Sequence, residues 1–172
     1  MSHTGHSSPP GTNWYALYTH PRHEKVVARQ LEERCVEAFL PLYRARRRWK
    51  DRRKEVDLAL FPSYVFIRIG EQQKLQVLKV SGALNVVSFN GKMAPMPERQ
   101  IEALRHALEK RIYAEPCPYL KVGRKVRVKA GPLAGAEGIL SRKKDKFRVV
   151  ISVEALMRSV AIEVDSTDLE GA

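Results

Sequence analysis

The tightest constraint in this chain is the short stretch Ala114-Glu115-Pro116-Cys117-Pro118. Proline fixes φ and lacks the amide donor, so two prolines in three residues cannot continue a helix or sit inside a sheet. The stretch reads as a linker. The residues on its two sides also follow different patterns. Upstream, apolar runs alternate with helical spacings. Downstream, about 50 residues of short alternating runs are punctuated by glycine, as in a small all-β barrel. The division is therefore residues 1–12 as a tail, 13–111 as a first domain, 112–120 as a linker and 121–172 as a second domain.

The tail MSHTGHSSPPGT is rich in Ser, Pro, Gly and His and has no apolar core, so it reads as disordered and not as a secretory signal. Beyond it, Trp14–Thr19 suits a buried strand, and Pro21 stops it. A helix starting near Arg22 would carry Val27 and Leu31 on one face. Ala38–Tyr43 resembles a strand with Pro41 at an edge or a bulge. Phe61–Ile69 is rich in aromatic and β-branched residues and reads as a strand. Glu71–Lys79 could be a short helix carrying Leu75 and Leu78. Leu84–Phe89 is a further strand, followed by the turn signal Asn90-Gly91. Pro97 opens a helix with Ile101, Leu104 and Leu108 on one face. In the second domain Lys125–Lys129, Phe147–Val153 and Val160–Val164 read as strands. The fold class is α+β followed by a small all-β domain.

The 172 residues include 31 Lys and Arg against 19 Asp and Glu, a formal net charge of +12. That balance favours a polyanionic partner. Much of it sits in Arg44–Lys54, RARRRWKDRRK, where eight of eleven residues are Lys or Arg. Charge of that density cannot be buried, so the run belongs at the far end of a hairpin between two strands. There it is either a solvated loop or a phosphate contact through Arg46, Arg47, Arg48, Lys50, Arg52 and Arg53.

Cys35 and Cys117 are far apart and form no C-x-x-C pair, so reduced thiols of a cytoplasmic protein are expected. No apolar run approaches the roughly 18 residues needed to span a bilayer. No nucleophile, phosphate-loop or metal-protease motif is present, which points away from an enzyme and from any cofactor or metal.

The second domain holds an ordered pattern. Val122-Gly123 leads into Val126 and Val128, then Gly131-Pro132, Gly135 and Gly138-Ile139. Glycine at such corners permits positive φ and close backbone approach, and the bland reading is a hairpin with glycine turns. The pattern resembles the KOW motif, an SH3-like barrel module, with Gly131, Pro132, Gly135 and Gly138 as its structural positions. Upstream, Phe61-Pro62-Ser63-Tyr64-Val65 resembles the F-P-G-Y-V signature of the NusG amino-terminal (NGN) domain. Val80–Phe89 and Pro95-Met96-Pro97 are similar to the segments that follow it there. Ser63 replaces the signature glycine. Arg22–Val26 and Phe39–Leu42 are closer to specialised RfaH/UpxY-like antiterminators than to housekeeping NusG.

That resemblance implies an NGN-type α/β sandwich with an antiparallel sheet. It implies a monomeric transcription elongation and antitermination factor that binds the clamp helices of the largest RNA polymerase subunit and suppresses pausing or termination. The alternative is an RNA-binding or ribosome-associated KOW protein. By motif position the polymerase contacts are Trp14, Tyr18, Phe61, Tyr64 and Phe66, or these are core residues of the sheet. His20, Arg22, His23, Lys25 and Arg29 correspond to a region that touches the non-template DNA strand, or are solvated helix charges. Leu156, Met157 and Arg158 fall where the family often has F-G-R and recruits ribosomal protein S10 or Rho. Upstream DNA and RNA are further possible partners, and no membrane is expected.

Overall fold

The computed structural model describes residues 10–49, 52–119, 123–143 and 146–172. The tail through residue 9, Lys50 and residues 120–122 at the expected junction lie outside the described residues.

The first part is built on β1 (Asn13–Thr19), which pairs antiparallel with β5 (Tyr64–Ile69) from Asn13↔Ile69 to Tyr18↔Tyr64. With β2 (Glu37–Phe39) and β6 (Ala83–Val86) they form a four-stranded sheet in the order β2-β5-β1-β6. Side chains alternate across a strand, so each face has its own set. Tyr15, Leu17, Val65 and Ile67 pack with Val27, Ala28 and Leu31 of α1 (Glu24–Glu33) and with Val77 of α2 (Lys74–Leu78). Trp14, Ala16 and Phe66 pack on the other face with Ile101 and Leu104 of α3 (Glu98–Glu109). A sheet covered on both faces has no solvent-facing row. That is why β5 reads Tyr-Val-Phe-Ile without a polar alternation.

Between β2 and β5 the chain forms a separate two-stranded ribbon, β3 (Leu42–Trp49) with β4 (Arg52–Ala59). The basic run therefore makes up paired strands and is not confined to the tip of the hairpin. The expected strand over Ala38–Tyr43 breaks at Pro41. Its first half is the edge strand β2 and its second half begins the ribbon. Glu71–Gln73 is a single 3₁₀ turn leading into α2, and three residues per turn shift the phase of the helix. Within α2, Val77 is buried while Leu75 is exposed. The strand expected over Leu84–Phe89 divides where the Val87 amide bonds the Ala16 carbonyl, at 2.9 Å. Ser88–Phe89 (β7) then pairs with Lys92–Met93 (β8) around Asn90-Gly91, both at positive φ.

The second part is a six-stranded antiparallel sheet. Its strands are β9 (Ala114–Cys117), β10 (Lys125–Val128), β11 (Glu137–Lys143), β12 (Lys146–Val153), β13 (Arg158–Val164) and β14 (Leu169–Gly171). They lie in the order β14-β10-β11-β12-β13-β9. The segment expected as a linker is thus an edge strand, β9, pairing Ala114–Cys117 with β13. Proline is tolerated there because an edge strand leaves one side of its backbone unpaired.

The two parts share one continuous apolar cluster, reaching from Trp14 and Phe66 through α3 to Val126, Val149 and Ile162. Helix α3 is buried on two sides, through Ile101 and Leu104 and through Ala103 and Ala107. Periodicity identifies only the side with large side chains. The alanines let another segment approach, and Ala103 and His106 line a groove with Leu133–Ala136. Nearby the Gln100 side-chain amide donates to the Ser152 carbonyl, at 3.2 Å.

Gly131 and Gly135 hold φ of +80° and +86°, and they bound the tight turn after β10. Gly138 has a different reason. A Cβ there would lie 2.5 Å from the Val150 carbonyl oxygen and 2.6 Å from Val149 Cγ1. Gly138→Ala is expected to destabilise the C-terminal sheet by about 1–3 kcal/mol through forced backbone displacement. Gly135→Ala meets open space and should cost about 1–2 kcal/mol from its left-handed φ alone. Urea unfolding followed by circular dichroism measures both.

Candidate functional site

Three loops meet at the end of the first sheet where β1 leaves and β5 enters. The Thr19 amide donates to the Ser63 carbonyl at 2.8 Å, and the His20 amide donates to the Gly82 carbonyl at 2.9 Å. The Ser63 amide in turn donates to Glu24 Oε1, at 2.7 Å. This ties the first turn of α1 to the Phe61–Tyr64 turn, a role for Glu24 that sequence reasoning missed because its partner is 39 positions away.

At this end lies an aromatic pair. Tyr18 and Tyr64 are opposite one another in the ladder, with ring centroids 5.3 Å apart. Tyr18 is 40% exposed and Tyr64 is half-buried. They share a face with Trp14 and Phe66 but sit where the cover of α3 runs out. The remaining aromatics expected as contacts are enclosed. Phe61 and Phe66 are fully buried in edge-to-face contact at 5.2 Å, and Phe66 stacks with Phe39 at 6.3 Å. Trp14 is 2% exposed, with the guanidinium carbons of Arg68 and Arg105 lying 4.9 and 5.4 Å from its ring. In this arrangement Trp14, Phe61 and Phe66 are core, and the accessible part of the expected patch is the Tyr18–Tyr64 pair. Alternation puts Trp14, Tyr18, Tyr64 and Phe66 on one face. The depth of α3 and the C-terminal sheet decides which remain open.

The C-terminal sheet reaches this pair directly. The Arg158 guanidinium lies 5.8 Å from the Tyr64 ring centroid, within range of a cation–π contact. The preceding loop holds Leu156 buried and Met157 65% exposed. Of the three residues expected to recruit a second partner, one is core, one faces solvent and one faces Tyr64. Met157 has φ +50° and Ser63 has φ +67°. Both stand where the resembling motifs carry glycine, and both hold the left-handed conformation glycine favours.

His20, Arg22, His23, Lys25 and Arg29 are all exposed at the same end, and the His20 and His23 rings are 5.7 Å apart. Arg29 makes an exposed helical pair with Glu33 at 3.8 Å, worth little in water. Arg46, Arg47, Arg48, Arg52 and Arg53 are exposed on the ribbon.

A buried ion pair holds the edge strand β9. Arg148, with its side chain 7% exposed, donates to Glu115 Oε1 at 2.5 Å and faces the Tyr113 ring at 5.7 Å. The Tyr113 hydroxyl donates to Glu115 Oε2 at 2.8 Å, and this bond to a carboxylate raises the phenol pKa. Burial raises the Cys117 thiol on the same strand. Among the described residues no group of three or more His, Cys, Asp or Glu is placed to hold a metal ion, and no helix is long and apolar enough to cross a membrane.

The architecture is a helix-backed antiparallel sheet followed by a β-rich module, with aromatics at the β1–β5 end. A solved structure described as domain interaction in Thermotoga maritima NusG covers 93% of this chain and 97% of its own, with a TM-score of 0.59 and 19% identity, and so supports the fold. Residues 12–105 match the family described as "Transcription termination factor nusG". The chain belongs to the NusG family. Among curated relatives, the transcription termination/antitermination protein NusG of Pseudomonas aeruginosa is 25% identical, covering 91% of this chain and 97% of its own. The NusG of Staphylococcus aureus strain Mu50 is 26% identical, covering 91% and 94%.

Two outcomes are expected. Ser63→Gly should raise stability by up to about 1 kcal/mol, since relief of a left-handed backbone outweighs the added freedom of the unfolded chain. Thermal denaturation reads this. Arg148→Met should loosen β9 by about 1.5–3 kcal/mol by removing a charged hydrogen bond. Alkylation of the half-buried Cys117, slow in the parent at neutral pH because its raised pKa leaves little thiolate, should then accelerate against exposed Cys35 as internal reference.

Proposed function

We propose that this chain is a non-catalytic cytoplasmic factor that binds elongating RNA polymerase through the clamp helices of the largest subunit and disfavours paused or terminating states. The reading rests on one observation: Tyr64, the tyrosine of the F-P-x-Y motif of a NusG-family chain, forms a partly exposed pair with Tyr18 across the ladder. Interface anchors are commonly aromatic, and Tyr offers a large rigid surface with a polar tip. The factor acts by binding the active clamp state more tightly than the paused one, and a differential of about 1.4 kcal/mol changes that equilibrium tenfold. Arg158 lies over Tyr64, so docking of clamp helices competes with this contact from the C-terminal sheet. Once displaced, that sheet frees Arg158 beside the already exposed Met157 for a second partner, ribosomal protein S10 or Rho. His20, Arg22, His23, Lys25 and Arg29 border the same site and suit the exposed non-template strand, where cations beside aromatics are favoured. In domain terms, residues 13–111 form the polymerase-binding unit and 121–172 the recruiting unit.

The Tyr18→Ala/Tyr64→Ala double variant should lower affinity for core RNA polymerase or a clamp-helix fragment at least tenfold at a temperature where circular dichroism shows it folded. Pausing on a template with defined pause sites should then return to the level without factor. Wild-type protein that binds neither polymerase nor clamp helices, yet binds RNA tightly, would overturn the reading in favour of an RNA-binding module.

A further inference from the structure

The β3–β4 ribbon has two chemically different halves. Toward its root, Arg44 lies across from Asp57 and Arg46 across from Glu55. The side chains close these pairs: Arg44 reaches Asp57 at 3.6 Å and Glu55 at 3.7 Å, and Arg46 reaches Glu55 at 3.4 Å. Farther out the pairing reverses in sign. Arg47 lies across from Lys54 and Arg48 across from Arg53, and Arg52 follows on the same strand. All five are exposed, and among the described residues none of them makes an ion pair.

Like charges directly opposite in an antiparallel pair are destabilising. Two such pairs in succession repel within the free protein, and a bound polyanion would remove the repulsion. Alternation distributes these cations over both faces, Arg48 and Arg53 on one, Arg47, Arg52 and Lys54 on the other. A protein surface lying flat on a phosphate row uses one face. A ribbon entering a groove meets phosphates on both sides, and the major groove of B-form DNA, about 12 Å wide, admits a two-stranded ribbon. The deep, narrow major groove of an RNA duplex does not admit side chains.

We propose that the outer half of this ribbon, Arg47, Arg48, Arg52, Arg53 and Lys54, is a duplex-DNA contact that enters the major groove, and that bound phosphates relieve its cross-strand repulsion while the root half is neutralised internally. The proposal rests on the reading above, in which the chain works beside the transcribed template. It changes the expected contact by removing Arg46 and adding Lys54. Sequence alone does not separate the halves, because the acids that neutralise the root arrive only through the strand register.

The test uses the full chain and a short labelled DNA duplex, with affinity measured by anisotropy across a salt series. Replacing Arg47, Arg48, Arg52, Arg53 and Lys54 by Gln should flatten the slope of log affinity against log salt by about 3–4.5, at about 0.9 per lost phosphate contact. Replacing Arg44 and Arg46 by Gln should change it by less than about 1. In hydrogen exchange, ribbon amides of the wild type should slow when duplex is added. Those of the outer-half variant should already be slower without DNA, because its repulsion is gone, which also reports that it folds. Equal slope changes in the two variants, tighter binding of RNA or single-stranded DNA than of duplex, or unchanged ribbon exchange would each overturn the proposal. Clamp-helix binding by the outer-half variant, measured alongside, separates this result from failure of the polymerase reading.

Discussion

The structure depends on the antiparallel pairing of β1 with β5. The register running from Asn13↔Ile69 to Tyr18↔Tyr64 sorts the side chains into two apolar faces. One face takes α1 and α2, and the other takes α3. A one-residue slip would exchange the faces and set Tyr15 and Leu17 against α3, so the register is held by burial on both sides. It also places Tyr18 opposite Tyr64 at the end of the sheet, and so determines where an aromatic contact can emerge.

The second organising element is α3, which serves two partners. Its large residues meet the first sheet, and its alanines admit the turn Leu133–Ala136. A helix buried on two sides couples the two parts of the molecule through apolar contact, reinforced by the Gln100–Ser152 bond and the Arg158–Tyr64 contact. The Arg158–Tyr64 contact lies at the surface end of this joint, where the proposed exchange with clamp helices takes place. The buried Arg148–Glu115 pair acts elsewhere, fastening β9 to its own sheet.

Much of the architecture was legible in the sequence. The aromatic and β-branched composition of Phe61–Ile69, which is strand from Tyr64 onward, the Asn90-Gly91 turn, Pro97 at the start of α3 and the valine alternation of β10 all report local rules. The departures share a cause. Pro116 and Pro118 suggested a linker, but an edge strand accepts proline, and only the neighbouring β13 makes an edge available. Leu75 had the spacing of a core residue, but the face of α2 that meets the sheet is the one carrying Val77. In the candidate site, Tyr18 and Tyr64 were identified by motif position, while Trp14, Phe61 and Phe66 carried the same signal and are enclosed. Arg158 on Tyr64 and Glu24 on Ser63 carried no local signal.

By itself, then, the sequence determined which residues are apolar, which turns are possible, that the chain carries excess positive charge, and which family motifs it bears. These are properties of residues and of their spacing over a few positions. The tertiary structure alone decided which aromatics remain exposed, which half of the basic ribbon is neutralised, and that one helix is shared between two sheets. Each of those depends on partners tens of residues away, whose distance is set by strand register and packing and not by anything written locally in the chain.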